Sequence, residues 1–450
     1  MREVLIRDTL SGEPRPLEPR DPGRVGVYAC GPTTYARIHV GNARPYVIFI
    51  LLKRFLEHEG YEVDLVVNVT DVNDKIYAAA READVPSERL AAEMTALYVE
   101  DTDRLGLGRP DHEPLASETM EEIVALIEAL ISGGHAYESG GDVYFRVRSF
   151  DEYGKLSNRR PEDMDQGEEA GTARLKEDPL DFALWKARKD DEDTAWDSPW
   201  GPGRPGWHIE CSAMAEKLLG VDFAIHGGGS DLVFPHHENE IAQTEAAREL
   251  PLARIWMHNG MVQIAEEKMA KSVGNIFQLS EALDRFPAAT VIAYLVSGHY
   301  RQPLEFSEGA LREADASVER IRNFLREETP PGGDPFVAAR VEEFFGALAD
   351  DFNTPRAMAS LFELVAEGNR RPLAGAREAL EEMLPVVGLD SLLEGGEEEP
   401  DAEAAGLLSE REEARASGDF ERADRIRDEL GRAGWEVRDT PDGARLVRRG

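Results

Sequence analysis

Cysteine is almost missing from this chain: its 450 residues include two, Cys30 and Cys211. That excludes the disulfide framework that staples small secreted domains. No apolar run is long enough to span a membrane. The opening Met1-Arg2-Glu3-Val4-Leu5-Ile6-Arg7-Asp8 lacks the uncharged stretch of a secretion signal, so a cytoplasmic protein with no membrane partner is expected. Positive charge is scarce as well. Against 88 acidic residues stand 51 basic ones, a formal net charge of −37. This balance argues against a general nucleic-acid binder, and an RNA enzyme built this way must gather its arginines on one face. The surplus acid otherwise solvates the surface, in a salty or a hot cytoplasm alike. Lysine is the rarer cation, with nine in the chain and none beyond Lys271.

Two of those nine fall in Lys268-Met269-Ala270-Lys271-Ser272, which reads either as a solvated basic loop or as a requirement for compact, mobile ammonium groups. A second feature lies near the N-terminus. The run Val25-Gly26-Val27-Tyr28-Ala29-Cys30 predicts a buried strand, and Gly41-Asn42-Ala43-Arg44-Pro45 leads into a helical run over 46–57. A helix N-terminus fed by such a strand presents free N–H groups and partial positive charge, where a triphosphate fits. Gly41 lets the chain approach a ligand closely, and His39 can donate to an α-phosphate oxygen. The alternative is a helix start with a stray histidine. A third feature, His226-Gly227-Gly228-Gly229-Ser230-Asp231-Leu232, follows a strand-like run over 221–225. It reads as a tight turn, or as backbone opened to a base or ribose with Asp231 accepting from ribose hydroxyls or a substrate ammonium.

The settings of the two cysteines matter. Cys30 ends the strand that feeds the phosphate-binding helix, at the carboxyl edge where open α/β sheets bind ligands. Cys211 lies in Gly206-Trp207-His208-Ile209-Glu210-Cys211, and Phe234-Pro235-His236-His237-Glu238-Asn239-Glu240 follows. Pro235 suits the first turn of a helix, which would put His236 and Glu240 at i and i+4 on one face. Cys30, Cys211, His236 and Glu240 would make a four-ligand zinc site; the alternative is a structural His–Glu pair beside two inert thiols.

Taken together, His39-Val40-Gly41-Asn42 and Lys268-Met269-Ala270-Lys271-Ser272 resemble the two ATP signatures of class I aminoacyl-tRNA synthetases. With Tyr28-Ala29-Cys30-Gly31-Pro32-Thr33, Asn68-Val69-Thr70-Asp71, Gly203-Arg204-Pro205-Gly206-Trp207-His208-Ile209-Glu210-Cys211-Ser212 and Asp350-Asp351-Phe352-Asn353-Thr354-Pro355, nearly the whole chain resembles the cysteinyl-tRNA synthetases. The resemblance implies one zinc ion per chain on Cys30, Cys211, His236 and Glu240, its open position taking the substrate thiolate. It implies a cysteine pocket shaped by Gly31, Thr70, Trp207, His226 and Asp231. ATP, with Mg2+, would be handled by His39, Gly41, Asn42, Gly227, Gly228, Gly229, Asp231, Lys268 and Lys271, of which His39, Asn42, Lys268 and Lys271 are catalytic. The implied reaction joins L-cysteine, ATP and tRNA(Cys), and a zinc-selected thiolate needs no editing domain. Alternatives are a cysteine:amino-sugar ligase of mycothiol synthesis and a non-catalytic RNA-binding paralogue. Ala36, Ile50, Asn73 and Ala270 depart from the family pattern, and Ala270 removes a hydroxyl from the lysine loop.

The expected fold is α/β. A doubly wound parallel nucleotide-binding sheet is split into 1–118 and 200–260 by a connective insertion, 119–199. A lysine-loop subdomain (261–307), a helical bundle (308–389), an acidic linker (390–405) and an α+β anticodon-binding domain (406–450) follow. The bundle rests on the stripe Leu311, Ala314, Val318, Ile321 and Phe324. The last domain rests on helical stretches at 408–416 and 419–430 and a hairpin around 441–443. In it Trp435 offers a ring for an unstacked base, and Arg411, Arg415, Arg422, Arg425, Arg427, Arg432, Arg438, Arg445, Arg448 and Arg449 offer phosphate contacts.

Overall fold

The computed structural model describes residues 2–160, 174–264, 277–393, 402–433, 435–440 and 443–448. They form two compact units, 1–390 and 391–450.

The larger unit starts with an antiparallel pair, β1 (Leu5–Arg7) and β2 (Pro14–Pro16). Then come β3 (Arg24–Ala29), α1 (Val40–His58), β4 (Glu62–Val67), α2 (Asp74–Ala83) and α3 (Ser87–Asp103). The insertion begins with α4 (Met120–Ser132). It continues as β5 (Ala136–Ser139), β6 (Asp142–Phe145), β7 (Phe182–Ala187) and β8 (Gly203–Pro205), which form one antiparallel sheet. The chain returns through α5 (Trp207–Leu219), β9 (Phe223–Gly229), α6 (Glu238–Arg248) and β10 (Ala253–Asn259).

The central sheet is parallel throughout, in the order β10-β9-β3-β4. Its strands are rich in buried Val, Ile and Leu because helices cover both faces. Chain order reverses between β3 and β9, so the crevice beyond their carboxyl ends is the switch point at which such sheets bind ligands. The insertion ends later than 199: β8 pairs with β7, with Trp185 opposite Pro205, so the 203–205 segment belongs to the insertion's sheet. Ile209, Ala213 and Ala242, on α5 and α6, share a core with Phe145, Phe182 and Trp185, which packs the insertion against the helices that carry Cys211 and Glu240.

Next come β11 (Val262–Ile264), α7 (Leu279–Arg285), α8 (Ala288–Leu295) and β12 (Leu304–Phe306), with β11 and β12 paired in parallel. The unit closes with the expected bundle, α9 (Glu308–Leu325), α10 (Pro335–Ala349), α11 (Thr354–Gly368) and α12 (Ala376–Val386). On α9 the predicted stripe faces inward: Leu311, Val318, Ile321 and Phe324 are buried and Ala314 partly so.

The smaller unit holds α13 (Ala402–Ala416), α14 (Phe420–Arg432), β13 (Trp435–Thr440) and β14 (Gly443–Arg448), the last two an antiparallel hairpin. Of the expected acidic linker, 394–401 lies outside the described residues, and 402–405 is already helical. Trp435 is not a surface ring. It is 3% exposed, packed with Ala404, Ile426, Leu430 and Leu446, because a unit this small needs its largest side chain for a core. Arg411 is buried as well, donating to Glu412 at 2.7 Å. Among the described residues no helix is long and apolar enough to cross a membrane.

Candidate active site

A cavity of about 410 Å³ opens at the switch point. Its lining includes Cys30, Gly31, His39, Gly41, Asn42, Thr70, Trp207, Cys211, Gly229, Asp231 and His236, so residues read separately from the sequence share one space. Lys268 and Lys271 lie outside the described residues, as does Ala270.

One wall is the start of α1. The helix begins at Val40, earlier than the run predicted from 46, and Pro45 sits inside it. His39 is the N-cap. Its Nδ1 accepts from the Gly41 N–H at 3.0 Å, and the Asn42 side-chain oxygen accepts from the His39 N–H at 3.2 Å. This reciprocal box satisfies two N–H groups that a helix start leaves without partners. Burial lowers the His39 pKa, and with Nδ1 occupied as an acceptor the neutral ring carries its proton on Nε2. The signature histidine is thus a structural cap and a preset donor at once.

The same helix end anchors the segments that flank residues 265–276. On the downstream side the Val40 N–H donates to the Phe277 carbonyl and the Leu279 N–H to the Ile38 carbonyl, both at 3.1 Å. On the upstream side, Arg44 on α1 is buried and has no carboxylate partner among the described residues. Its Nη1 donates to the carbonyls of Gly260 and Gln302, each at 2.7 Å, and its Nη2 to that of His299 at 3.0 Å. Burial brings its pKa down to about 10, still well above neutrality, so a charged guanidinium holds the chain just ahead of β11 and β12.

Behind the cavity lies a cluster that could hold a metal ion: Cys30, Cys211, His236 and Glu240 present ligand atoms within 4.8 Å of one another. Cys30 directly follows β3, Cys211 is on α5 and Glu240 on α6. Pro235 and His236 occupy a turn, Val233–His237, ahead of α6, so the proline precedes the helix instead of opening it. His236 Nε2 still reaches Glu240 Oε1 at 3.1 Å. The two sulfurs are 3.8 Å apart, and Cys30 Sγ is 3.6 Å from Glu240 Oε1. Burial pushes the Cys30 thiol up, while the hydrogen bond from Cys30 brings Cys211 down to about 6. Without a cation, therefore, only one of the two sulfurs is readily a thiolate.

Four further histidines surround this cluster, and sequence reasoning gave most of them no role. His226, expected in the substrate pocket, is fully buried: its Nε2 donates to Glu240 Oε2 at 2.9 Å and its ring stacks on Trp256. It orients a cluster carboxylate and does not line the cavity. His208 Nδ1 is 3.0 Å from His236 Nδ1. His237 links Cys30 Sγ (3.3 Å) to His258 (2.7 Å), which in turn meets Thr9 Oγ1 at 2.7 Å. Burial keeps His208, His237 and His258 below the ordinary histidine value. One signal was available: of ten histidines in the chain, five fall between residues 208 and 258.

The glycine run also differs from expectation. β9 continues through Gly229, so the glycines are strand where a tight turn or backbone opened to a base or ribose was expected. A Cβ on Gly227 would stand 2.2 Å from the Met257 carbonyl oxygen and 2.4 Å from the Phe49 ring, and one on Gly228 would crowd Leu232 and His237. These two glycines permit packing inside the sheet; Gly229 lines the cavity, where a Cβ would meet the Asp231 carboxylate. Gly31 lines the cavity too, yet its missing side chain makes room for the Asn68 carbonyl, 1.8 Å from where a Cβ would be. Thr70 accepts from Asn68 Nδ2 at 3.3 Å, and Trp207 stacks on His236 with ring centroids 4.4 Å apart. Of the departures from the family pattern, Ile50 is buried on α1, Ala36 is exposed, and Asn73 caps α2 by accepting from the Lys75 N–H at 3.1 Å, a task Asn performs as well as Asp.

Residues 16–316 match the family model of the tRNA synthetases class I (C) catalytic domain. Residues 343–389 match a DALR domain, and 398–445 the cysteinyl-tRNA ligase anticodon binding domain. The chain is 47% identical over 459 residues to a cysteine–tRNA ligase of Halorhodospira halophila, with 99% of each covered. It is 45% identical to one of Carboxydothermus hydrogenoformans, with 99% and 100% covered. A Mycobacterium tuberculosis methionyl-tRNA synthetase in complex with methionyl-adenylate shares the fold, with a TM-score of 0.57 at 16% identity over 82% of this chain and 89% of that one.

Proposed function

The chain belongs to the cysteine–tRNA ligase family, and from that premise we propose that its cavity activates L-cysteine with ATP and passes the cysteinyl group to the 3'-terminal adenosine of tRNA(Cys). The observation that carries the choice of amino acid is the convergence of Cys30, Cys211, His236 and Glu240 beside the cavity. Its spacing supports zinc. Bond lengths of ~2.3 Å to sulfur and ~2.0 Å to oxygen, set at tetrahedral angles, put two sulfurs ~3.8 Å apart and sulfur and oxygen ~3.5 Å apart. The corresponding separations are 3.8 and 3.6 Å. A zinc ion held there would accept the substrate thiolate and discriminate against the hydroxyl of serine or the methyl of alanine. His226 and His208 orient the Glu240 and His236 ligands, as partners of metal ligands commonly do.

The remaining residues position and stabilise charge. Asp231 accepts from the substrate ammonium or the ribose hydroxyls, with Thr70 and Trp207 flanking the amino acid. The cysteine carboxylate attacks the α-phosphorus and pyrophosphate leaves. His39 Nε2 donates to the α-phosphate oxygen on which charge builds, supported by the start of α1, by Lys268 and Lys271, and by Mg2+ brought with ATP. The ring stack and the packing of β9 support indirect roles for His226, Gly227 and Gly228.

The smaller unit serves tRNA binding, in keeping with its match to an anticodon-binding domain. Since Trp435 is buried, the ring available to an unstacked base is Phe420, 66% exposed at the start of α14. Arg422 and Arg427 pair with Glu410 and Asp424, which moderates their part in phosphate contact. Phe420→Ala is expected to lower kcat/KM for tRNA about 5- to 150-fold, the usual cost of losing one stacked base, with cysteine activation unchanged. Equal charging by both proteins would remove Phe420 from the interface.

The reaction itself is tested by aminoacylation of purified tRNA(Cys) with cysteine and with serine. Charging with cysteine alone is expected. Cysteine activation without charging of any tRNA would favour the amino-sugar ligase.

A further inference from the structure

One part of the cavity rim has no task in adenylate formation. Tyr35 lies between β3 and α1 and Lys75 at the start of α2, and both are exposed. Lys75 Nζ is 5.4 Å from the centroid of the Tyr35 ring, and both residues line the cavity mouth. The backbone fixes the two segments together: the Thr34 N–H donates to the Thr70 carbonyl and the Thr70 N–H to that of Pro32, each at 3.1 Å. Asn73 holds the first turn of α2 through the Lys75 N–H. The pair is therefore carried on a rigid frame.

Its charge is unusual for this protein. Lys53, Lys155, Lys186 and Lys217 each pair with a carboxylate. Lys75 makes no ion pair among the described residues, although the chain carries a net charge of −37. Tyr35 is 42% exposed, one of the few large rings so open. An exposed ring with a cation held over it, and no carboxylate on that cation among the described residues, suits single-stranded nucleic acid, whose bases stack on rings and whose phosphates meet cations. The start of α1 and Asp231, which line the same cavity, already suit ATP, which leaves the exposed Tyr35 and Lys75 for a ligand that arrives from outside. We propose that Tyr35 and Lys75 receive the single-stranded 3' end of tRNA and steer its terminal ribose toward the adenylate. This deepens the tRNA-charging reading and rests on it.

The test separates two steps on the intact protein. Cysteine-dependent ATP–pyrophosphate exchange is measured first without tRNA, then single-turnover transfer from preformed adenylate to tRNA(Cys). For Tyr35→Ala, transfer is expected to slow about tenfold or more while exchange stays at the unaltered rate, which also reports that the variant is folded. Tyr35→Phe should restore transfer. Lys75→Gln should reduce the slope of log affinity for tRNA against log salt by ~0.7, the share of one single-strand phosphate, and Lys75→Arg should retain it. Unchanged transfer in Tyr35→Ala, exchange falling in step with transfer, or an unchanged salt slope in Lys75→Gln would each overturn the inference. None of these would touch the charging reaction, which fails only if the unaltered protein charges no tRNA.

Discussion

Cys211→Ala is expected to release the metal and to lower cysteine-dependent ATP–pyrophosphate exchange by a hundredfold or more. The magnitude follows from two losses. Removing even a residue that merely orients a metal ligand commonly costs about 10- to 100-fold in affinity or activity, and Cys211 would be a ligand itself. It is also the cluster thiol brought down to about 6, hence the sulfur readier to be a thiolate near neutral pH. The substitution leaves Cys30, His236 and Glu240 in a pocket sized for a fourth donor, while the small side chain fits the buried position on α5. Elemental analysis of the purified variant gives the first check, and exchange with cysteine the second. Zinc retained at one ion per chain in Cys211→Ala would refute the assignment of Cys211 as a ligand.

The second large effect is predicted for His39→Asn, and here the capping geometry makes the experiment selective. Asparagine is among the best N-cap residues, so it should still accept from the Gly41 N–H and keep the start of α1 intact. It cannot place a donor where the imidazole Nε2 stands. The melting temperature should therefore change little, while exchange falls about 10²–10³-fold, the usual cost of deleting one transition-state hydrogen-bond donor. His39→Ala should lose the same activity and about 1 kcal/mol of stability besides, because the cap goes too. If His39→Asn activated cysteine at the unaltered rate, His39 would be a cap and nothing more.

The parts of the site that were legible in the sequence share a physical property: each is a chemical type that a chain has little reason to use by chance. Two cysteines in 450 residues, placed after a strand and on a helix, stand out and converge beside the cavity; the lysines at 268 and 271 stand out equally in the sequence but lie outside the described residues. What stayed illegible depends on three-dimensional neighbours. Whether Gly227 serves a ligand or a strand is decided by the Met257 carbonyl, some thirty residues away. His226 resembles a pocket residue in sequence, yet the pairing of β9 with β10 sets it opposite Trp256, where its ring stacks on the indole and its Nε2 meets Glu240. Trp435, expected to offer its ring to a base, is buried, and Phe420, given no role in the sequence, is exposed, because a sequence shows that a ring exists and not which side of a small core it occupies. In the fold, β8 was missed because three residues, Gly203–Pro205, carry no periodicity of their own; only pairing with β7 makes them a strand.

The ties at both ends of residues 265–276 bear on a quantity other than geometry. Arg44 steadies the chain ahead of β11, and Ile38 and Val40 hold Phe277 and Leu279, so the chain on either side of that span is fastened to the start of one helix. Bringing two distant points of a chain together costs closure entropy that grows with the logarithm of the number of residues between them. Here α1 meets that cost on folding, before any ligand arrives. Loss of Arg44 would therefore be felt as entropy: the two flanking segments would have to be gathered each time, with no change in the charge the span carries.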